Sequence, residues 1–200
     1  RLSDVCLGLP NKQSARFLFG FIRNEGAKSP RMTAYLRHAT RYLAADSLSN
    51  LFTHALTFRN TGGSVERRVL RAMYGGLQER GAQPPPEMAA WGLATARKLI
   101  ESNEEPEVFV GIELAWDLKL AGLGGELAKL ADKSSPQPAL RTFAIDALAA
   151  VDAERAYEDL GGILSDISEP VSIRQKAADS LGKINSKRSR ESLAGHFAAA

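Results

Sequence analysis

The stretches "PALRTFAIDALAAVDAERAYEDL" (138–160) and "VSIRQKAADSLGKINSKRSRESL" (171–193) repeat one another at a shift of 33 residues. Arg141 then meets Arg174, Ala144 meets Ala177, Asp146 meets Asp179, Leu148 meets Leu181 and Leu160 meets Leu193. Apolar residues recur at three and four within each stretch, so each reads as a helix, a tight turn and a second helix. A single hairpin of this size has too little surface to bury its own apolar face, whereas stacked copies share a continuous core. The repetition is therefore architectural. A looser copy lies upstream, where Leu118 and Leu130 keep the 12-residue interval of Leu148–Leu160 and Leu181–Leu193. The opening "LGLPNKQSARFLFGF" (7–21) also echoes "LGKINSKRSRESLAGHF" (181–197).

Helical spacing continues outward from these repeats. In "RMTAYLRHATRYL" (31–43) the apolar stripe is Met32, Tyr35, Leu36, Ala39, Tyr42 and Leu43, with Arg37 and Arg41 on the other side. In "SVERRVLRAMYGGLQER" (64–80) the stripe is Val69, Leu70, Met73 and Leu77, and Arg67, Arg68 and Arg71 lie away from it. Ser64 stands where an N-cap would, though Arg67 replaces the Glu or Gln of a full capping box. "QPPPEMAAWGLATARKLIES" (83–102) places prolines at a helix start. "VFVGIEL" (108–114) is ambiguous alone but continues in helical register to Leu118. Gly- and Pro-containing breaks at short intervals leave about eleven helices of roughly 10–17 residues and no convincing strand. The expected fold is all-α, a right-handed solenoid of five to six helical hairpins over 1–200, with divergent basic repeats in 1–102 and clearer repeats in 103–200.

Charge divides the chain. Residues 1–100 hold 15 basic and 6 acidic side chains (+9), and the remainder holds 11 basic and 17 acidic (−6). Each half therefore suits a different partner. A lone cysteine, Cys6, forms no internal disulfide and anchors no multi-cysteine zinc site. The N-terminus shows no secretory signal pattern, and no run reaches the length of a transmembrane helix. The first residue is Arg1, which reads as a segment of a longer chain.

The run "SDISEPVSIRQKAADSLGKI" (165–184) resembles the HEAT repeat, in particular the short form named after phycobilisome lyases. The resemblance covers about 137–198 well and 106–132 loosely. It implies an α-solenoid in which a loop acid ties to a helix arginine, here Asp132 with Arg141 and Asp166 with Arg174. "DVCLGLP" (4–10) followed by "YLRHATRYL" (35–43) is similar to segments of large exported bacterial proteins that join HEAT repeats to sugar-processing and cytochrome c domains. That second likeness implies an exported bacterial origin; no Cys-x-x-Cys-His occurs here to hold haem.

Candidates for chemistry are sparse. His38 and His54 lie on successive helices and can face one another, but no acid stands ready as a third metal ligand. They and His196 read as surface or inter-helix histidines. Cys6 reads as a small buried hydrophobe. Trp91 and Trp116 fall on apolar stretches and read as core. Trp116–Asp117 is also the pair that resembles HEAT-like DNA glycosylases, although the acid lies in the acidic half. The glycine pairs lack a phosphate-loop ending; 62–63 and 124–125 read as turns, and 75–76 and 161–162 as sites of close helix packing.

The expected function is a non-catalytic scaffold that needs no cofactor or metal. It would bind another protein or a neighbouring domain of its own chain. Two surfaces are candidates. One is a basic patch of Arg37, Arg41, Arg67, Arg68 and Arg71. The other is the inner surface of the C-terminal repeats, carried on second helices by Glu154, Arg155, Glu158, Arg188 and Glu191. Nucleic-acid binding, or a HEAT-like glycosylase using the basic half, is the rival from another class. A bilin-lyase-like activity rests on the repeat type alone.

Overall fold

The computed structural model describes residues 2–25, 29–61, 63–184 and 194. Eleven α-helices run through the described residues with no strand among them. They are α1 (Leu2–Leu7), α2 (Lys12–Glu25), α3 (Met32–Tyr42), α4 (Ala45–Leu56), α5 (Gly63–Glu79), α6 (Pro86–Ile100), α7 (Glu105–Leu118), α8 (Gly124–Ala131), α9 (Arg141–Val151), α10 (Ala153–Ser165) and α11 (Val171–Lys183). "VFVGIEL" is helical, as its register requires. α5 already begins at Gly63, so Ser64 is a helical residue and not the N-cap expected from the sequence. The second pair of expected turn glycines, Gly124 and Gly125, instead forms the first two residues of α8.

The chain forms two compact units, residues 1–92 and 93–200, with the division inside α6. In the first unit α3 is central, packing against α2 and α5 and more lightly against α1 and α4. Its buried residues Tyr35, Leu36 and Ala39 meet a core that includes Leu18, Ile22, Leu70 and Met73. Contact with α5 is close because Gly76 has no side chain. A Cβ there would lie 2.6 Å from Thr40 Cβ and 2.7 Å from the Arg37 carbonyl oxygen. The end of α3 is finished by α5, since Arg80 Nη1 donates to the Thr40 carbonyl at 2.7 Å and to that of Leu43 at 3.2 Å. Trp91 is buried and donates its indole N–H to Glu66 at 2.5 Å. Cys6 is a buried free thiol.

In the second unit the odd helices α7, α9 and α11 pack side by side, and α8 and α10 form a second layer against them. The leucines that mark the repeat are its core: Leu118, Leu130, Leu148, Leu160 and Leu181 are all buried. Leu193 lies outside the described residues. At α7, a Cβ on Gly111 would meet Ile100 Cγ1 and the Ile100 backbone nitrogen at 2.8 Å, so the end of α6 and α7 also approach closely.

The tie between repeats is an arginine and a loop acid, but not the expected pairs. Arg141 donates to the Ala131 carbonyl at the end of α8 (3.0 Å) and to Glu169 in the α10–α11 loop (2.7 Å). Both side chains are almost wholly buried. Asp132 instead closes its own turn, accepting from the Ser134 backbone N–H and hydroxyl at 2.8 and 2.6 Å. Asp166 does the same with Ser168 and also takes Lys133 at 2.7 Å. The two Asp–Arg pairs therefore give way to Arg141–Glu169, because a serine two residues after each aspartate captures its short side chain locally. Arg174 Nε is buried with no hydrogen-bond partner among the described residues. A second tie joins α9 to α11: Asp146 accepts from Ser180 (2.7 Å), Lys183 (3.1 Å) and Lys176. Burial pushes the Asp146 carboxyl up, but the Lys176, Ser180 and Lys183 hydrogen bonds win, and it titrates below the usual carboxylate range.

Candidate binding surfaces

The arginines of the expected N-terminal patch divide into two groups. Arg37 and Arg41, one turn apart on α3, converge on Glu79 at the end of α5: Arg37 Nε donates to Oε1 at 2.8 Å and Arg41 Nη1 to Oε2 at 3.3 Å. Arg41 also lies over the Tyr42 ring, 4.9 Å from its centroid. With His38 and the α1–α2 turn, this group borders an open cleft of about 370 Å³. Glu79 cancels one of the two positive charges. Arg71 lies eight residues before Glu79 on α5, about 12 Å along the axis, and Arg68 lies eleven before it, about 16 Å. Arg67 is farther still. Arg37 Nε, however, lies 3.4 Å from where a Cβ on Gly75 would stand, one turn after Arg71 on α5.

His38 is buried 3.2 Å from Ser14, whose hydroxyl donates to the Leu9 carbonyl. Its ring leans on Tyr42 at 4.8 Å. His54 instead meets Phe19 and Phe58 edge-on at 6.1 and 5.5 Å, and its Nε2 is buried with no hydrogen-bond partner among the described residues. The two histidines thus serve separate contacts. Burial lowers both pKa values from the ordinary histidine range, helped by the Arg41 charge at His38 and the Arg23 charge at His54. Neutral imidazole is favoured in the fold, so the unfolded chain takes up protons first as pH falls below about 6.5. Stability therefore drops on acidification through that window, ahead of the carboxylates. Thermal melts between pH 7.5 and 5 should show this loss, and His38→Gln/His54→Leu should flatten it. An unchanged slope in that variant would assign the loss to other groups.

The second surface is on α10. Its buried stripe is Ala156, Tyr157, Leu160, Gly161 and Ile163, which leaves Glu154, Arg155 and Glu158 on the opposite side. Asp152 caps the helix by accepting from the Arg155 N–H at 3.1 Å, and Arg155 reaches Asp159 at 3.6 Å. Glu158 and Asp159 also border a shallow hollow of about 230 Å³ with Asp132, Lys133, Asp166 and Glu169. The surface is net acidic. Hydrogen bonds from Lys133, Ser168 and the Ser168 backbone hold Asp166 far below the ordinary carboxylate range, so it stays charged at any physiological pH. Arg188 and Glu191, expected on the same side one repeat later, lie outside the described residues, as does His196.

One aromatic residue departs from expectation. Trp91 is core, but Trp116 is 38% exposed and Phe143 44%. The periodicity of α7 places Trp116 beside apolar residues without showing that no neighbouring helix covers it.

Two layers of short helices, tied from one repeat to the next by an arginine and a loop acid, are the geometry that the repeat demanded, and the comparison with protein families agrees. Residues 126–200 match the family of HEAT repeats. The match takes in most of α8 and all of α9 to α11, and with helices and no strand among the described residues it supports an α-α solenoid of HEAT-like repeats. HEAT repeats generally serve as protein-interaction scaffolds and are typically non-catalytic. No curated protein and no solved structure gives a significant match to the chain. No described helix is long and apolar enough to cross a membrane.

Proposed function

We propose that this chain is a non-catalytic binding module whose HEAT repeats hold another protein, or a neighbouring domain, against the exposed side of α10. The observation that carries this reading is the set Glu154, Arg155 and Glu158, three charged side chains directed away from the buried stripe, beside a hollow rich in carboxylates. Rigid helices present these charges at fixed spacing, and a net acidic surface steers and selects a basic partner surface. The partner would be captured by a photo-crosslinking residue at position 158, with position 49 on α4 as the control. Glu154→Lys/Glu158→Lys should then weaken the purified complex by about tenfold. Unchanged affinity would remove α10 from the interface.

Nucleic-acid binding draws its support from the +9 charge of residues 1–100. The pairing of Arg37 and Arg41 with Glu79 reduces that support. Duplex affinity that falls steeply with salt would favour the nucleic-acid reading, whereas the scaffold reading expects no appreciable duplex binding.

A further inference from the structure

Two exposed helix rows of opposite charge lie in the two units of this chain. On α2, Lys12, Arg16 and Gly20 recur every four residues and Arg23 follows three later, so the four share one side of the helix. All four are exposed, and Lys12, Arg16 and Arg23 form no ion pair among the described residues. Arg23 rests over the Phe19 ring, 6.0 Å from its centroid. On α10, Glu154, Glu158 and Gly162 recur at the same interval and are exposed as well. Glu158 carries the charge of this row, for it forms no ion pair among the described residues. The two rows therefore share one spacing, about 6 Å per step along the axis.

The glycines are a second match. Glycine inside a helix costs about 1 kcal/mol relative to alanine. A Cβ on Gly20 or on Gly162 would meet nothing within 4 Å, so packing within the chain does not ask for glycine at either position. Bare backbone on an exposed side lets another helix cross closely. Whole-unit charge points the same way: residues 1–92 hold 13 basic and 6 acidic side chains (+7), and residues 93–184 hold 10 basic and 16 acidic (−6). We propose that α2 of one copy of this chain packs across α10 of a second copy, with Lys12 and Arg16 against the acidic row and the two glycines at the crossing. The inference rests on the reading of α10 as a binding surface and names its occupant. A phosphodiester chain would answer the α2 row by charge but leaves the equal spacing on α10 without a role. Because the two surfaces differ, each contact leaves one surface of each kind open, and association runs head to tail until a ring closes.

Sedimentation velocity of the purified chain tests this. At low salt its mass should rise with concentration up to about 0.2 mM, and it should return to the monomer in about 0.5 M salt. Lys12→Glu/Arg16→Glu and Glu154→Lys/Glu158→Lys should each weaken self-association about tenfold or more. An equimolar mixture of the two variants should recover it, because every basic row then has an acidic row to meet. That recovery also shows that neither variant is merely unfolded. Gly20→Ala, which has room within the chain, should weaken association without harming the fold. A monomer at every concentration, or a mixture that stays monomeric, would overturn the proposal. Association that strengthens with salt would point to an apolar contact and overturn the pairing of the rows. A crosslink from position 158 to a different protein, with the chain itself monomeric, would end the self-assembly reading and leave the α10 surface standing.

Discussion

Arg141→Ala should destabilise the second unit by about 3–5 kcal/mol, the largest single effect expected in this protein. The guanidinium lies between the end of α8 and the loop before α11, so its removal frees two groups at once. The Ala131 carbonyl loses its donor, and Glu169, whose side chain is 3% exposed, loses the cation hydrogen-bonded to it. The penalty comes mainly from that stranded carboxylate, not from the lost attraction, because forming a buried pair already costs both ions their hydration. This distinction is testable. Arg141→Met/Glu169→Leu removes both charges and retains volume, and it should recover most of the lost stability in urea unfolding followed by amide exchange in α9. A loss below about 1 kcal/mol for the single variant, or a double variant as unstable as the single, would show that the tie is not what holds successive repeats together.

Gly76→Ala should destabilise the first unit by about 2 kcal/mol despite alanine's better helix propensity. The propensity gain is about 1 kcal/mol at most. Against it stand contacts at 2.6 Å to Thr40 Cβ and 2.7 Å to the Arg37 carbonyl. Neither neighbour is the free end of a flexible chain: one is β-branched and the other is backbone, so α3 and α5 must separate. That movement also disturbs Thr40, which donates to the Leu36 carbonyl at 2.8 Å and to Met73 Sδ at 3.1 Å. Gly20 provides the opposite sign. It is exposed on α2, and a Cβ there would have nothing within 4 Å, so Gly20→Ala should stabilise by about 0.5–1 kcal/mol. Chemical denaturation of the two variants side by side checks both, and a gain for Gly76→Ala would mean that the α3–α5 contact is looser than its geometry.

The repeat is legible in the sequence because its signal is local. Leu148 and Leu181 recur 33 residues apart with Leu160 12 after the first, and all three are buried in the helical hairpins. The close-packing role expected of Gly75–Gly76 is met at Gly76, which faces α3, while in the other pair Gly161 is buried and a Cβ on Gly162 would have nothing within 4 Å. The site is less legible. Arg37 and Arg41 look like a free basic row within their own helix, and only α5 reveals that Glu79 answers them. The arginine ladder can be expected in kind but its acid cannot, since Asp132 and Asp166, expected with Arg141 and Arg174, hydrogen-bond to Ser134 and Ser168 instead.

The amino-acid sequence by itself determined the all-helical class, the positions of the helices and the repeat that stacks them, because helix periodicity and turn residues act over a few neighbours along the chain. Tertiary structure alone decided which charges are spent and which surfaces remain. Trp91 and Trp116 sit in similar apolar contexts, yet one is enclosed and the other is exposed. Arg141 finds Glu169 28 residues away, and Arg37 finds Glu79 42 away. Such partners are chosen by how neighbouring helices pack and by which side chain is long enough to cross between them, and no local pattern carries that information.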